Sequence, residues 1–282
     1  MTEVRALLAG LGIGESARWH DGRLWFCNWG RHEVVASDLE GHCEVIAQVP
    51  ANVGYAIDWL PDGRLLVTGP ELLRREAGGT LVRHADLSRI GEGWNEIVVD
   101  GRGNIYVNGM RADARAGAQG FGPGVIALVT PDGAVRQVAG EIAFPNGMIV
   151  TPDNRTLIIA ESFAGQLTAF DIADDGSLAN RRLWAKVPGD GICLDLDGAV
   201  WCQSFEEGSR GAVMRVREGG EVLDRIQLEH PCFACTLGGE DGKTLFMMSA
   251  EWWGFERLDE LLSARTGRVL VAPAPAPHAG YP

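Results

Sequence analysis

Ile57-Asp58-Trp59-Leu60-Pro61-Asp62-Gly63-Arg64-Leu65-Leu66-Val67 reads as two short apolar strands joined by a Pro-Asp-Gly turn. The same design recurs at Ala17-Arg18-Trp19-His20-Asp21-Gly22-Arg23-Leu24-Trp25-Phe26, around Asp100-Gly101-Arg102-Gly103, around Pro152-Asp153-Asn154, around Asp197-Gly198 and around Asp241-Gly242. The turn residues Gly22, Gly63, Gly103, Asn154, Gly198 and Gly242 lie 41, 40, 51, 44 and 44 positions apart. Further strand signals fill the intervals, such as Val125-Ile126-Ala127-Leu128-Val129 ahead of Pro131-Asp132-Gly133, so each period holds about four strands. Helix signals are confined to Asp86-Leu87-Ser88-Arg89 and Arg257-Leu258-Asp259-Glu260-Leu261-Leu262. A period of about 40–50 residues with four strands and almost no helix specifies an all-β fold, a six-bladed β-propeller.

The domain is expected to span residues 1–272, with Val4-Arg5-Ala6-Leu7-Leu8 pairing beside Arg268-Val269-Leu270-Val271 to close the ring and remove exposed edges. The Ala/Pro-rich tail, 273–282, reads as an extended or disordered end with no part in catalysis. In 282 residues, 46% hydrophobic and 22% charged, the net charge is −13, which argues against nucleic-acid and anionic-membrane partners. No apolar run approaches the ~20 residues of a membrane span. The first residues lack a signal peptide's basic start and apolar core, which predicts a cytoplasmic location. The six cysteines (27, 43, 193, 202, 232, 235) mostly sit in apolar stretches and are expected to be buried thiols rather than disulfides.

The repeats also align internally. Seven or eight places before each turn residue stand Glu15, Ala56, Asn95, Asn146, Asp190 and Ala234. Equivalent ends of the innermost strands form a ring around the propeller axis, so four oxygen-bearing side chains point at one place. Any one of them alone is more simply a strand cap or an Asx turn. As a set, two carboxylates and two amides form a hard-oxygen group suited to a divalent cation, and a desolvated Glu15–Asp190 pair would repel without one.

Gly14-Glu15-Ser16-Ala17-Arg18-Trp19, Trp94-Asn95-Glu96, Phe144-Pro145-Asn146-Gly147-Met148 and Gly189-Asp190-Gly191-Ile192-Cys193 resemble the signature segments of the SMP-30/gluconolactonase/LRE (regucalcin-like) family of six-bladed propellers. The resemblance runs from Glu15 to about Thr236. It implies hydrolysis of a sugar lactone or related ester at one divalent cation in the channel (Ca²⁺, Mg²⁺, Mn²⁺ or Zn²⁺). Its implied ligands are Glu15, Asn146 and Asp190, with Asp190 also matching the residue given the general-base role. Asn95 matches a position that helps hold metal or substrate and would assist the carbonyl oxygen. Animal gluconolactonases carry an Arg two residues before the matching Asn, where this chain has Gly93, so a clamp for sugar hydroxyls is missing.

Around the mouth, Trp29, Tyr55, Trp94, Met110 and Phe205 are candidates for an apolar pocket, with Tyr55, Trp94 and Met110 joining Asn95 as substrate-binding residues. For most of these side chains blade packing is an equal or better explanation, Trp94 excepted because it adjoins Asn95. The Gly-rich insertion at 111–124 is the candidate lid. Three other signals are set aside. Cys232-Phe233-Ala234-Cys235 lacks a second pair for zinc. Gly10-Leu11-Gly12-Ile13-Gly14 has no following helix to hold a phosphate and reads as a flexible loop. Ser16 lacks the second Gly of a nucleophile elbow. Two alternatives stand beside the lactonase: a phosphotriesterase-like hydrolase, and a non-catalytic ligand-binding propeller braced by its channel ion.

Overall fold

The computed structural model describes residues 3–111, 122–206 and 210–282; the candidate lid falls almost wholly outside them. Six antiparallel sheets follow one another along the chain as the blades of a propeller. Blade 1 pairs Ile13–His20, Arg23–Trp29, Glu33–Ser37 and Cys43–Gln48. Blade 2 runs from Ile57–Trp59 to Leu81–Ala85, and blade 4 from Pro145–Val150 to Leu178–Ala185, each with four strands in sequence order.

Two sheets depart from four strands. In blade 3 the innermost strand is split into Gly91–Glu92 and Ile97–Val99, both paired to Ile105–Arg111, with the break falling at Trp94-Asn95. In blade 5 a fifth strand, His278–Ala279, lies along Cys193–Asp195. Blade 6 combines Cys232–Gly238, Thr244–Ser249 and Gly267–Pro273 with the N-terminal Arg5–Leu11.

The period read from the sequence has a conformational cause. All six turn residues sit in the left-handed region, Gly22, Gly63, Gly103, Gly198 and Gly242 at φ between 71° and 82° and Asn154 at 57°. Glycine reaches that region without steric cost, and Asn is among the few side chains that tolerate it. The core lies between blades: Ala17, Leu24, Phe26 and Val35 of blade 1 pack on Ala234, Phe246, Met248 and Val269 of blade 6, so neighbouring faces bury one another.

Two expectations need correction. Gly10–Gly14 is not a flexible loop, because strands run on either side of Gly12. A Cβ on Gly12 would lie 1.9 Å from the Trp29 carbonyl oxygen, so its glycine serves a close backbone approach. The tail, expected to be extended or disordered, is extended and held at several points. Ala274 N–H donates to Lys243 O (2.7 Å) and Leu196 N–H to Pro277 O (2.8 Å), while Tyr281 exchanges two 2.8 Å bonds with Val150. It therefore crosses from blade 6 past blade 5 to blade 4 at the turn end of the inner strands, opposite Glu15 and Asn146.

The six cysteines are free thiols, five of them buried and Cys43 exposed. Among the described residues, helix is limited to Leu258–Ala264 and two single 3-10 turns. Among the described residues no helix is long and apolar enough to cross a membrane.

Candidate functional site

The inner strands are irregular where the predicted ring should be. Register slips between Glu15 and Arg18 in blade 1, where Ser16 has φ 51°, between Pro145 and Met148 in blade 4, and between Cys232 and Ala234 in blade 6. A bulge re-aims a side chain that regular pleating would hold in the blade interface. Blade 3 breaks its strand at the same level, and in blade 5 the strand begins only at Cys193.

Hydrogen bonds then tie these segments together. The Asn95 amide donates to Pro145 O (3.3 Å), and Gly147 N–H donates to Asp190 O (3.0 Å). Gly191 N–H donates to Phe233 O (2.7 Å). A Cβ on Gly147 would lie 2.6 Å from Asp190 O and 2.5 Å from Ile192 N, so only glycine lets the two segments approach. Asn95, Asn146 and Asp190 are thus neighbours across blades 3, 4 and 5.

Electrostatics bring Glu15 into the same place. Burial pushes its carboxyl well above the ordinary carboxylate range, and the nearby carboxylates of Asp190 and Glu96 push it further, against the Ser16 N–H and Arg18. Asp190 is pushed up to about 8, first by burial and then by Glu96, while a hydrogen bond from Asn146 pulls the other way. Its Oδ1 is buried with no hydrogen-bond partner. An unsatisfied carboxylate oxygen beside a second buried carboxylate is costly unless something positive fills the gap. The donor set, two carboxylates and an amide oxygen, fits a hard divalent cation. Among the described residues no three His, Cys, Asp or Glu side chains converge as a metal group, so the amides are an essential part of this fit.

Below this level the channel holds charge that the sequence reading passed over. Arg18, on the same strand as Glu15, donates to Glu96 Oε2 (3.1 Å), Ile97 O (3.0 Å) and Ala17 O (3.0 Å). Asp58 lies beyond, buried, accepting from Val99 N–H (2.7 Å) and Trp59 N–H (2.8 Å). Burial raises its carboxyl to about 6, tempered first by Arg18.

Tyr55 and Trp94 do not line the mouth. Tyr55 is fully buried, its hydroxyl donating to Asn28 O (2.8 Å) and accepting from Glu33 N–H (3.1 Å). Trp94 is buried among Leu66, Ile97, Val107 and Val125, because the broken strand turns its indole into the blade 2–blade 3 interface. Met110 stays half-buried where its strand leaves blade 3. Trp29 is half-buried, its indole N–H on Tyr55 O (3.0 Å), and Phe205 is exposed.

A second ring went unread. Asn28, Thr68, Asn108, Glu161, Gln203 and Ser249 each stand on or just past a blade's second strand, and all are buried. Each holds backbone at the site level. Asn28 accepts from Gly12 N–H (3.0 Å), Thr68 from Ala56 N–H (2.8 Å), Glu161 from Ala143 N–H (2.8 Å) and Gln203 from Asp190 N–H (3.0 Å). Asn108 donates to Asn146 O (2.7 Å), and Ser249 donates to His230 O (3.2 Å). Their signal is a lone polar residue after an apolar run, as in Ile105-Tyr106-Val107-Asn108 and Val200-Trp201-Cys202-Gln203.

The profile of the SMP-30/Gluconolactonase/LRE-like region matches residues 13–251. The chain belongs to this family. Among SMP-30/gluconolactonase/LRE-like proteins, the chain is similar to regucalcin of Xenopus laevis, 24% identical over 251 residues that cover 84% of this chain and 83% of that protein. A 6-deoxy-6-sulfogluconolactonase of Pseudomonas putida is 29% identical over 135 residues, 45% of each chain. The solved structure of a luciferin-regenerating enzyme superposes with a TM-score of 0.80 at 19% identity, covering 99% of this chain and 98% of that one, a likeness of fold.

Proposed function

We propose that this protein is a lactonase that opens a cyclic ester by adding water, with one divalent cation held by Glu15, Asn146 and Asp190. The observation that carries the reading is the buried Glu15–Asp190 pair, with Asp190 Oδ1 unsatisfied at the ring of strand ends. When bound, the cation would polarise the lactone carbonyl and ease the ionisation of water. The family and the sulfogluconolactonase relative support a lactone as the substrate.

The chain's own residues supply the rest. The Asn95 amide, tethered to Pro145 O, is placed to orient the carbonyl oxygen and to hold charge as it develops there. Asp190, whose Oδ1 carries no hydrogen bond, is the carboxylate that the family resemblance offers to align the attacking water and take its proton. Gln203 and Asn108 hold the backbones of Asp190 and Asn146. They fix the distance between the two side chains, on which the reaction geometry depends.

The test is a pH-indicator assay over a panel of lactones, on metal-stripped protein with Ca²⁺, Mg²⁺, Mn²⁺ or Zn²⁺ restored, alongside Asp190→Asn. Turnover that returns with one cation and is lost in the variant supports the reading. A folded, metal-loaded protein that opens no lactone refutes it.

A further inference from the structure

Among the described residues, six aromatic rings form an arc over blades 4, 5 and 6. Phe163 stacks on Phe144 with centroids 4.2 Å apart, and Phe144 meets Phe255 at 6.3 Å. Phe255 stands edge-on to Trp252 at 5.0 Å, Trp252 meets Phe233 at 5.7 Å, and Phe233 meets Phe205 at 5.6 Å. The three phenylalanines that are exposed among the described residues all belong to it: Phe163 at 42%, Phe205 at 48% and Phe255 at 52%. Exposed apolar rings gathered in this way mark a place where something apolar binds.

Its backbone ties the arc to the candidate site. Phe144 immediately precedes Pro145-Asn146, and Phe205 follows two residues after Gln203, whose side chain holds Asp190 N–H. The Phe233 carbonyl accepts from Gly191 N–H (2.7 Å). Phe163 follows Ser162, whose hydroxyl donates to Gly189 O (2.9 Å). Four of these rings therefore belong to segments joined to the Asn146 and Asp190 segments, with Phe144 only two residues before Asn146. Phe144 also keeps φ at 60°, in the left-handed region, where a bulky residue is strained. Bonds from Ser162 N–H to Phe144 O (3.1 Å) and from Phe163 N–H to Ala143 O (3.2 Å) hold it there.

Five of the six rings are phenylalanine, which offers no hydrogen bond to a sugar hydroxyl. We infer that the arc seats an apolar alkyl or aryl substituent carried on the ring of the scissile lactone, and that this enzyme prefers such lactones to polyhydroxylated ones. The inference rests on the lactonase reading for the reaction and on the arc alone for the selectivity.

The experiment has a kinetic and a binding arm. The first compares kcat/KM for δ-dodecalactone, unsubstituted δ-valerolactone and glucono-δ-lactone. The second titrates the non-hydrolysable heptyl-substituted δ-lactam by tryptophan fluorescence, using wild type, Phe255→Ser and Phe163→Ser. We expect the heptyl lactone to lead by at least about tenfold, as a well-filled apolar pocket allows. Each variant should lose about tenfold more on it than on valerolactone, with lactam affinity falling in parallel. Equal turnover of heptyl and unsubstituted lactones, or a preference for the gluconolactone, overturns the inference and leaves the lactonase standing. Lactam binding weakened by the variants, with no lactone opened, refutes the hydrolase and keeps the arc. A dimer in sedimentation that Phe255→Ser splits would assign the arc to a second copy of this chain and overturn the inference.

Discussion

Replacing Arg18 by Met tests the buried charge of the channel. The guanidinium faces Glu96 at 3.1 Å, with side-chain exposures of 7% and 4%, and it also satisfies the carbonyls of Ala17 and Ile97. It is the charge that lowers the proton affinity of Glu15, Asp58 and Glu96 at once. Removing one partner of a buried pair leaves the other uncompensated, a loss of about 3–5 kcal/mol. Glu96→Gln alone should cost about 1–2 kcal/mol, because Gln can still accept from Arg18. With both changes the orphaned carboxylate is gone, so the double variant should lose at least about 2 kcal/mol less than the sum of the singles. The assay is urea unfolding of metal-free protein at pH 7, followed by tryptophan fluorescence. Arg18→Met costing under about 1 kcal/mol, or effects that add within about 0.5 kcal/mol, would refute the charge ladder.

Three further outcomes are expected. Calcium or manganese at about 100 times Kd should raise the unfolding free energy by about 2.7 kcal/mol. Asp190→Asn should abolish that gain while making the metal-free protein more stable than wild type, since it removes a buried like charge; a variant that keeps the gain shows the ion is held elsewhere. Gly147→Ala, whose Cβ would strike the Asp190 carbonyl, should cut turnover about 100-fold with the fold retained, and unchanged kcat would show this contact to be slack. Asp58 titrates near 6 instead of 3.8, and a raised carboxyl stabilises the fold below its unfolded value and loses that contribution as pH rises. Wild type should therefore lose about 2.4 kcal/mol relative to Asp58→Asn between pH 4 and pH 7. Equal differences at the two pH values would refute the assignment.

The candidate site could be proposed from sequence because a repeated fold carries its own alignment. Glu15, Asn95, Asn146 and Asp190 stand at one slot of the period, and three of those four segments are joined by backbone contacts. The same alignment held the signal of the polar ring, in which Asn108 and Gln203 each follow an apolar run. Tyr55 and Trp94 illustrate the opposite case. Each neighbours a slot residue, yet neighbouring side chains in a strand point to opposite faces, and a strand break adds a rotation that spacing does not encode.

The six-fold repeat, the left-handed turns that mark it and the shared slot of oxygen side chains are all written locally in the chain. These depend on local rules, the two-residue period of a strand and the conformational freedom of Gly and Asn, which one stretch of chain carries alone. Tertiary packing put Glu96, Arg18 and Asp58 in the channel with Glu15. It alone ran the tail across the far end and joined rings from three blades into one arc. Those are relations between residues tens to hundreds of positions apart, fixed by how the blades pack and where charge is desolvated. No local pattern registers either.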